Sequence, residues 1–128
     1  MDNPTAHNSL DPGDLILKVE VPVQQQRSAY LQISEKSEFD WALVSCAAAA
    51  KVDGNKLSHA RIALGAVSPV PYQEKAANDW LEGKVLDDAL AAKAADLILE
   101  KAHVQAHNGY KVPIVRALVR RTLMQLKA

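Results

Sequence analysis

Between Leu15 and Val21 apolar and polar positions alternate: Leu15, Leu17, Val19 and Val21 point one way, Ile16, Lys18 and Glu20 the other. A period of two belongs to a strand with one buried face, so a half-buried strand is predicted here, ended by Pro22. Asp11-Pro12-Gly13-Asp14 before it is a turn signal, because proline fixes one φ and glycine admits the next. Met1 to Asp14 reads as a turn-forming or disordered lead, and Val23 to Arg27, with three glutamines, as a linker. Ser28 to Ser34 gives a second, weaker strand.

Ala42 to Val52 is ambiguous. Its alanines favour helix on propensity alone, yet it runs into Asp53-Gly54, a two-residue hairpin signal. Alternation resumes beyond it: Ala60, Ile62, Leu64 and Ala66 share one face, Arg61, Ala63 and Gly65 the other. A hairpin of two small-residue strands is predicted, with a helical first arm as the alternative. Side chains this small would let another group pack very close to the sheet.

After Pro69 and Pro71 the period changes. Gln73 to Leu81 reads as a short helix with Ala76, Ala77, Trp80 and Leu81 inward, ended by Gly83 as a left-handed cap. Asp87 caps a helix that runs to about His103 and buries Leu90, Ala94, Leu97 and Ile98. His107 to Tyr110 forms a loop, and Pro113 suits the first turn of a last helix. That helix carries Val115, Leu118, Val119, Thr122 and Leu126 on one stripe. Strands first and helices afterwards imply an α+β fold: an antiparallel sheet of three to four strands packed on one face by three helices.

Composition sets outer limits. A chain of 128 residues, 48% of them hydrophobic, suffices for one core. Fifteen basic residues balance fifteen acidic ones, so no global field favours nucleic acid or an anionic membrane. The single cysteine, Cys46, excludes an internal disulfide framework and fits a reduced, cytoplasmic setting. No stretch approaches the roughly 18 to 20 apolar residues of a membrane span, and Met1 to Pro12 lacks the basic and apolar segments of a signal peptide.

The candidates for chemistry have plainer readings. His103 and His107 have the spacing of a helical metal pair, but Val104, Gln105 and Ala106 supply no glutamate between them, and they fall at a helix end. They read as a surface or capping pair. Lys111, Arg116, Arg120, Arg121 and Lys127 form a solvated face whose late cations suit the helix dipole, with an acidic partner as second reading. Few aromatics accompany them to stack bases, so nucleic acid is disfavoured. Cys46 has no basic neighbourhood to make a thiolate and reads as a buried small residue. Ser58 and His59 are adjacent in a strand and so face apart. Glu38 and Asp40 read as an exposed loop. Gly13, Gly54, Gly65, Gly83 and Gly109 are all isolated, so no glycine-rich loop brings N–H groups onto a pyrophosphate. No catalytic or metal-binding residue is assigned, and the chain is not expected to hold a nucleotide by itself.

Longer segments carry a resemblance. Ser28-Ala29-Tyr30-Leu31-Gln32, Phe39-Asp40-Trp41-Ala42-Leu43-Val44-Ser45 and Ala60-Arg61-Ile62-Ala63-Leu64-Gly65-Ala66-Val67-Ser68-Pro69-Val70-Pro71 occur in order. His107-Asn108-Gly109-Tyr110-Lys111-Val112 and Arg116-Ala117-Leu118-Val119-Arg120-Arg121 follow. Together they resemble the C-terminal domain of the FAD-binding (medium) subunit of molybdenum hydroxylases, the xanthine dehydrogenase, aldehyde oxidoreductase and carbon monoxide dehydrogenase group. Leu10-Asp11-Pro12-Gly13-Asp14-Leu15-Ile16 and Val19-Glu20-Val21-Pro22 resemble the last turn and strand of the preceding FAD-binding domain. The resemblance thus divides the chain into 1–26, a lead and remnant strand, and 27–128, the C-terminal domain. It also favours strand for Ala42 to Val52 and Ser58 to Val67.

What the resemblance implies is electron transfer. In that group a molybdopterin subunit oxidises substrate, and electrons pass through iron–sulfur clusters on a second subunit to FAD on the medium subunit. The molybdopterin and iron–sulfur subunits are the implied partners, with a separate FAD-domain chain and self-association through the Leu15 to Val21 strand as further possibilities. FAD is implied only together with the upstream domain, and no cofactor on this chain alone. Leu15 and Ile16 match apolar positions near the isoalloxazine. Gln32 stands where many members place a basic side chain at the flavin; it can hydrogen-bond the ring but brings no positive charge. The competing reading is a stand-alone interaction module of the same fold that has lost FAD.

Overall fold

In a computed structural model, which describes residues 8–127, three strands precede three helices. They are β1 (Arg27–Ser34), β2 (Ala42–Asp53), β3 (Lys56–Gly65), α1 (Lys75–Trp80), α2 (Asp88–Leu99) and α3 (Lys111–Gln125). The strands form one antiparallel sheet in the order β1-β2-β3. The alanine-rich segment is therefore strand. Its period shows in burial: Val44, Cys46, Ala48 and Ala50 are enclosed while Ala47 and Lys51 are exposed. Leu57, Ala60, Ile62 and Leu64 of β3 join them, so the sheet buries one face under the helices, as expected for the α+β class.

The hairpin turn sits one residue later than the sequence signal. Asp53 pairs with Lys56, leaving Gly54 and Asn55 at the corner, with Gly54 at φ 58. Glycine at the first of two central positions is what a tight hairpin of this length demands. A Cβ at Gly54 would meet nothing within 4 Å, so a substitution there strains the backbone alone. Gly54→Val is expected to destabilise the chain by roughly 1–2 kcal/mol, and Gly54→Asn by less, since asparagine tolerates positive φ. Thermal melts check this; a silent valine variant would remove the turn from the account.

The far edge of β3 is closed group by group. Leu57 N–H donates to the Lys84 carbonyl at 2.8 Å and Leu64 N–H to the Tyr72 carbonyl at 2.8 Å. Between them the register slips: Ala49 pairs with Arg61 but Lys51 with Ser58, so β3 carries one extra residue, a bulge with His59 at φ 54. The His59 N–H donates to a Glu82 carboxylate oxygen at 2.8 Å, and the Ile62 N–H to the buried Asn78 Oδ1 at 2.9 Å. An edge closed this way offers no template for another strand. Among the described residues the sheet has three strands and no fourth, and two single bridges, at Val85 and Tyr72, flank β3.

Four expectations are corrected. Leu15 to Val21 forms no strand: Leu15, Leu17 and Val19 are 78%, 87% and 80% exposed, because no described strand pairs with the segment and no surface receives its apolar side. In α1, Ala76 is exposed and Asn78 is buried in its place. Helix α2 ends at Leu99 and is rotated, so that Ala91 and Ala95 are enclosed while Leu90 and Leu97 are half-buried. Its small side chains let it lie close against α3. Ala66, at φ 60, has likewise left the buried face. The Asp87 cap is as expected, its carboxylate accepting from the Leu90 N–H at 2.7 Å, and α3 buries the anticipated stripe.

Candidate functional site

The helices cover one side of the sheet and leave the other open, and the register lays out that open side in rows. Ser28, Ala49 and Arg61 form one row, Tyr30, Ala47 and Ala63 the next, Gln32, Ser45 and Gly65 the third. Paired residues in a sheet project to the same face. The floor is thus alanine, serine and glycine, with Tyr30 standing over it, 58% exposed. Gly65 gives room to its neighbour: a Cβ there would meet the Ser45 hydroxyl and make it turn away.

The Tyr30 hydroxyl donates to Gln32 Oε1 at 2.9 Å, which ties the two side chains together along β1. Gln32 keeps its amide hydrogens for another acceptor. Arg61 donates to the Ala60 carbonyl at 2.8 Å and has no ion pair among the described residues. Beyond the Gln32 row the β1–β2 turn exposes Phe39, at φ 50, and Trp41 almost completely. Asp40 shapes that turn by accepting from the Lys36 and Trp41 N–H groups, both at 2.9 Å.

Such a surface can receive a flat apolar group, hydrogen-bond its edge at Gln32 and set a guanidinium at one end. A planar ring system fits it. A pyrophosphate does not, since Gly13, Gly54 and Gly83 occupy separate positive-φ positions rather than one loop.

Of the three residues that the resemblance assigns to the flavin, only Gln32 lies on this face. Leu15 and Ile16 are 78% and 65% exposed and belong to no hydrophobic cluster. Strand parity places Tyr30 beside Gln32 and Arg61 on one face with Ala63 and Gly65, but only the cross-strand register joins the two sets. His103 and His107 are exposed in the non-helical α2–α3 connection, so their spacing no longer defines a common face. Among the described residues no group of three histidine, cysteine or acidic side chains is placed to hold a metal, and no helix is long and apolar enough to cross a membrane.

Residues 28–126 match the CO dehydrogenase flavoprotein C-terminal domain family. The carbon monoxide dehydrogenase medium chain of Hydrogenophaga pseudoflava is 30% identical over 120 residues, covering 89% of this chain and 42% of that protein. The aldehyde oxidoreductase FAD-binding subunit PaoB of Escherichia coli K12 is 28% identical over 126 residues, 98% of this chain and 36% of that subunit. The crystal structure of quinoline 2-oxidoreductase from Pseudomonas putida 86 superposes with a TM-score of 0.74 at 31% identity, over 84% of this chain and 39% of that one. The chain therefore spans about two fifths of the length of these relatives. With the family match running from β1 to the end of α3, the chain belongs to the CO dehydrogenase flavoprotein C-terminal domain family.

Proposed function

We propose that the chain serves as the C-terminal part of a flavoprotein electron-transfer subunit of a molybdenum hydroxylase, covering one side of a flavin and contributing to assembly of the complex. The observation that supports this best is the bare outer sheet face, with Tyr30 bonded to Gln32 above a floor of Ala47, Ala63 and Gly65, in a chain of this family. FAD, when bound, supplies the acceptor and donor of electrons. The small floor residues let its ring approach, Tyr30 stacks on it, and the Gln32 amide hydrogen-bonds its edge. Leu15 and Ile16 pack beside it once the 15–21 segment, whose alternation finds no partner among the described residues, pairs with an upstream FAD-binding domain that holds the phosphates. Relatives named as a medium chain and an FAD-binding subunit support a place in a complex of several subunits; its partners, on this proposal, are molybdopterin and iron–sulfur subunits, in the cytoplasm.

The test is the flavin of the assembled complex. The chain alone is expected to show no saturable FAD binding at micromolar concentrations, for want of a phosphate loop. In the complex, Gln32→Lys places a cation beside the ring and is expected to raise the flavin reduction potential by favouring the anionic reduced form. An unchanged potential in a complex that still carries flavin would remove Gln32 from the site.

A further inference from the structure

We propose a second binding site, on the helix-covered side of the sheet and so opposite the flavin-facing surface, for a small amphipathic carboxylate with a short aliphatic chain or single ring. A cleft of about 300 Å³ opens between the C-terminal end of α2, the first turn of α3 and the end of β3. Its interior is apolar, with Leu64, Ile98, Val112 and Val115 among the walls. Protein interiors keep few voids much larger than a water molecule, so an open apolar space of this size is available to a ligand.

The mouth is cationic. Lys101 and Lys111 line it, and no aspartate or glutamate does. Lys111 is held in place by donating to the Ala66 carbonyl at 2.7 Å, a neutral acceptor that leaves its charge uncancelled. Lys101 shares the Glu74 carboxylate at 3.3 Å, but that group also accepts from the Ala76 N–H at 3.2 Å and the Tyr72 hydroxyl at 3.1 Å. These contacts hold Glu74 below the usual carboxylate range, the Ala76 N–H foremost. The carbonyl end of α2 and the N–H end of α3 both border the cleft and offset one another, and the ionised Glu74 offsets Lys101, so Lys111 sets the sign. A fixed ammonium beside an apolar space complements a carboxylate carried on an apolar body.

The probes are octanoate and 1-octanol, titrated into the full chain and followed by amide chemical shifts. Octanoate is expected to bind saturably at millimolar or lower concentration and to shift residues around Val104, Val112 and Val115, with octanol about tenfold weaker. Lys111→Gln is expected to weaken octanoate about fivefold. Because Lys111 also secures Ala66, two exposed variants decide the matter if that one misfolds. Val104→Glu sets a negative charge at the mouth and is expected to abolish binding, and Lys101→Gln to weaken it. Gln32→Lys should bind octanoate as the unaltered chain does, which keeps this test separate from that of the flavin. No saturable binding up to about 10 mM, equal binding of octanol, or full binding by Val104→Glu would each overturn the proposal.

Discussion

Replacing Asn78 with alanine is expected to lower the stability of the chain by roughly 2–3 kcal/mol and its Tm by roughly 6–12 °C. Asn78 is enclosed on α1, and its Oδ1 is the acceptor for the Ile62 N–H on the outer edge of β3, at 2.9 Å. The neighbouring edge groups have their own partners, Glu82 for His59 and the Tyr72 carbonyl for Leu64. Removing the amide leaves a backbone donor buried beside the Ile62 side chain, where water cannot replace the lost acceptor. Asn78→Leu is expected to be no better, because it fills the space but still strands the donor. Thermal unfolding followed by circular dichroism measures both. An alanine variant melting within a degree or two of the unaltered chain would mean that β3 satisfies this edge some other way.

The same residue marks where legibility in the sequence stops. Asn78 in a short helix reads as polar surface; only the unpaired edge of β3, sixteen positions earlier, turns it inward. The bulge at His59 is hidden for a similar reason, since its strained backbone is held by Glu82 from another element. Features written locally were legible. Gly54 marked the hairpin to within one residue, Asp87 its helix start, and the α3 stripe its buried face. In β2, alanine on both faces erased the period that separates strand from helix, and there the family resemblance decided between them. The alternation from Leu15 to Val21 encodes a face but names no partner, and the described residues supply none. At the candidate site, the type of residue at position 32 drew attention only through the resemblance. Alternation alone puts Ala63 and Gly65 on one small-residue face open to close packing, but only the register sets Ala47 and Gln32 beside them.

Raising the pH from about 9 to about 11 is expected to remove roughly 2–3 kcal/mol of stability through Cys46 alone. The thiol lies in the core between β2 and α3 with no exposed surface, and burial pushes it up from 9.0 to about 11. The Thr122 hydroxyl beside it pulls weakly the other way. It is itself buried without a partner that meets hydrogen-bond geometry, so burial prevails. In the unfolded chain the thiol loses its proton near its ordinary value, while in the folded chain it keeps that proton until about 11. Between the two the folded state binds more protons, so the contribution is complete below pH 9 and is lost as pH rises toward 11. Tyrosines and lysines titrate in the same range, so the measurement is a difference. Urea midpoints of the unaltered chain and of Cys46→Ala are compared at pH 8 and pH 10.5. Cys46→Ala should begin less stable, from the small space it leaves in the core. It should then lose less with rising pH, so that the two converge. Parallel pH profiles would show that the thiol ionises in the folded state as easily as in water, and with it that the sheet–helix interface at Cys46 admits solvent.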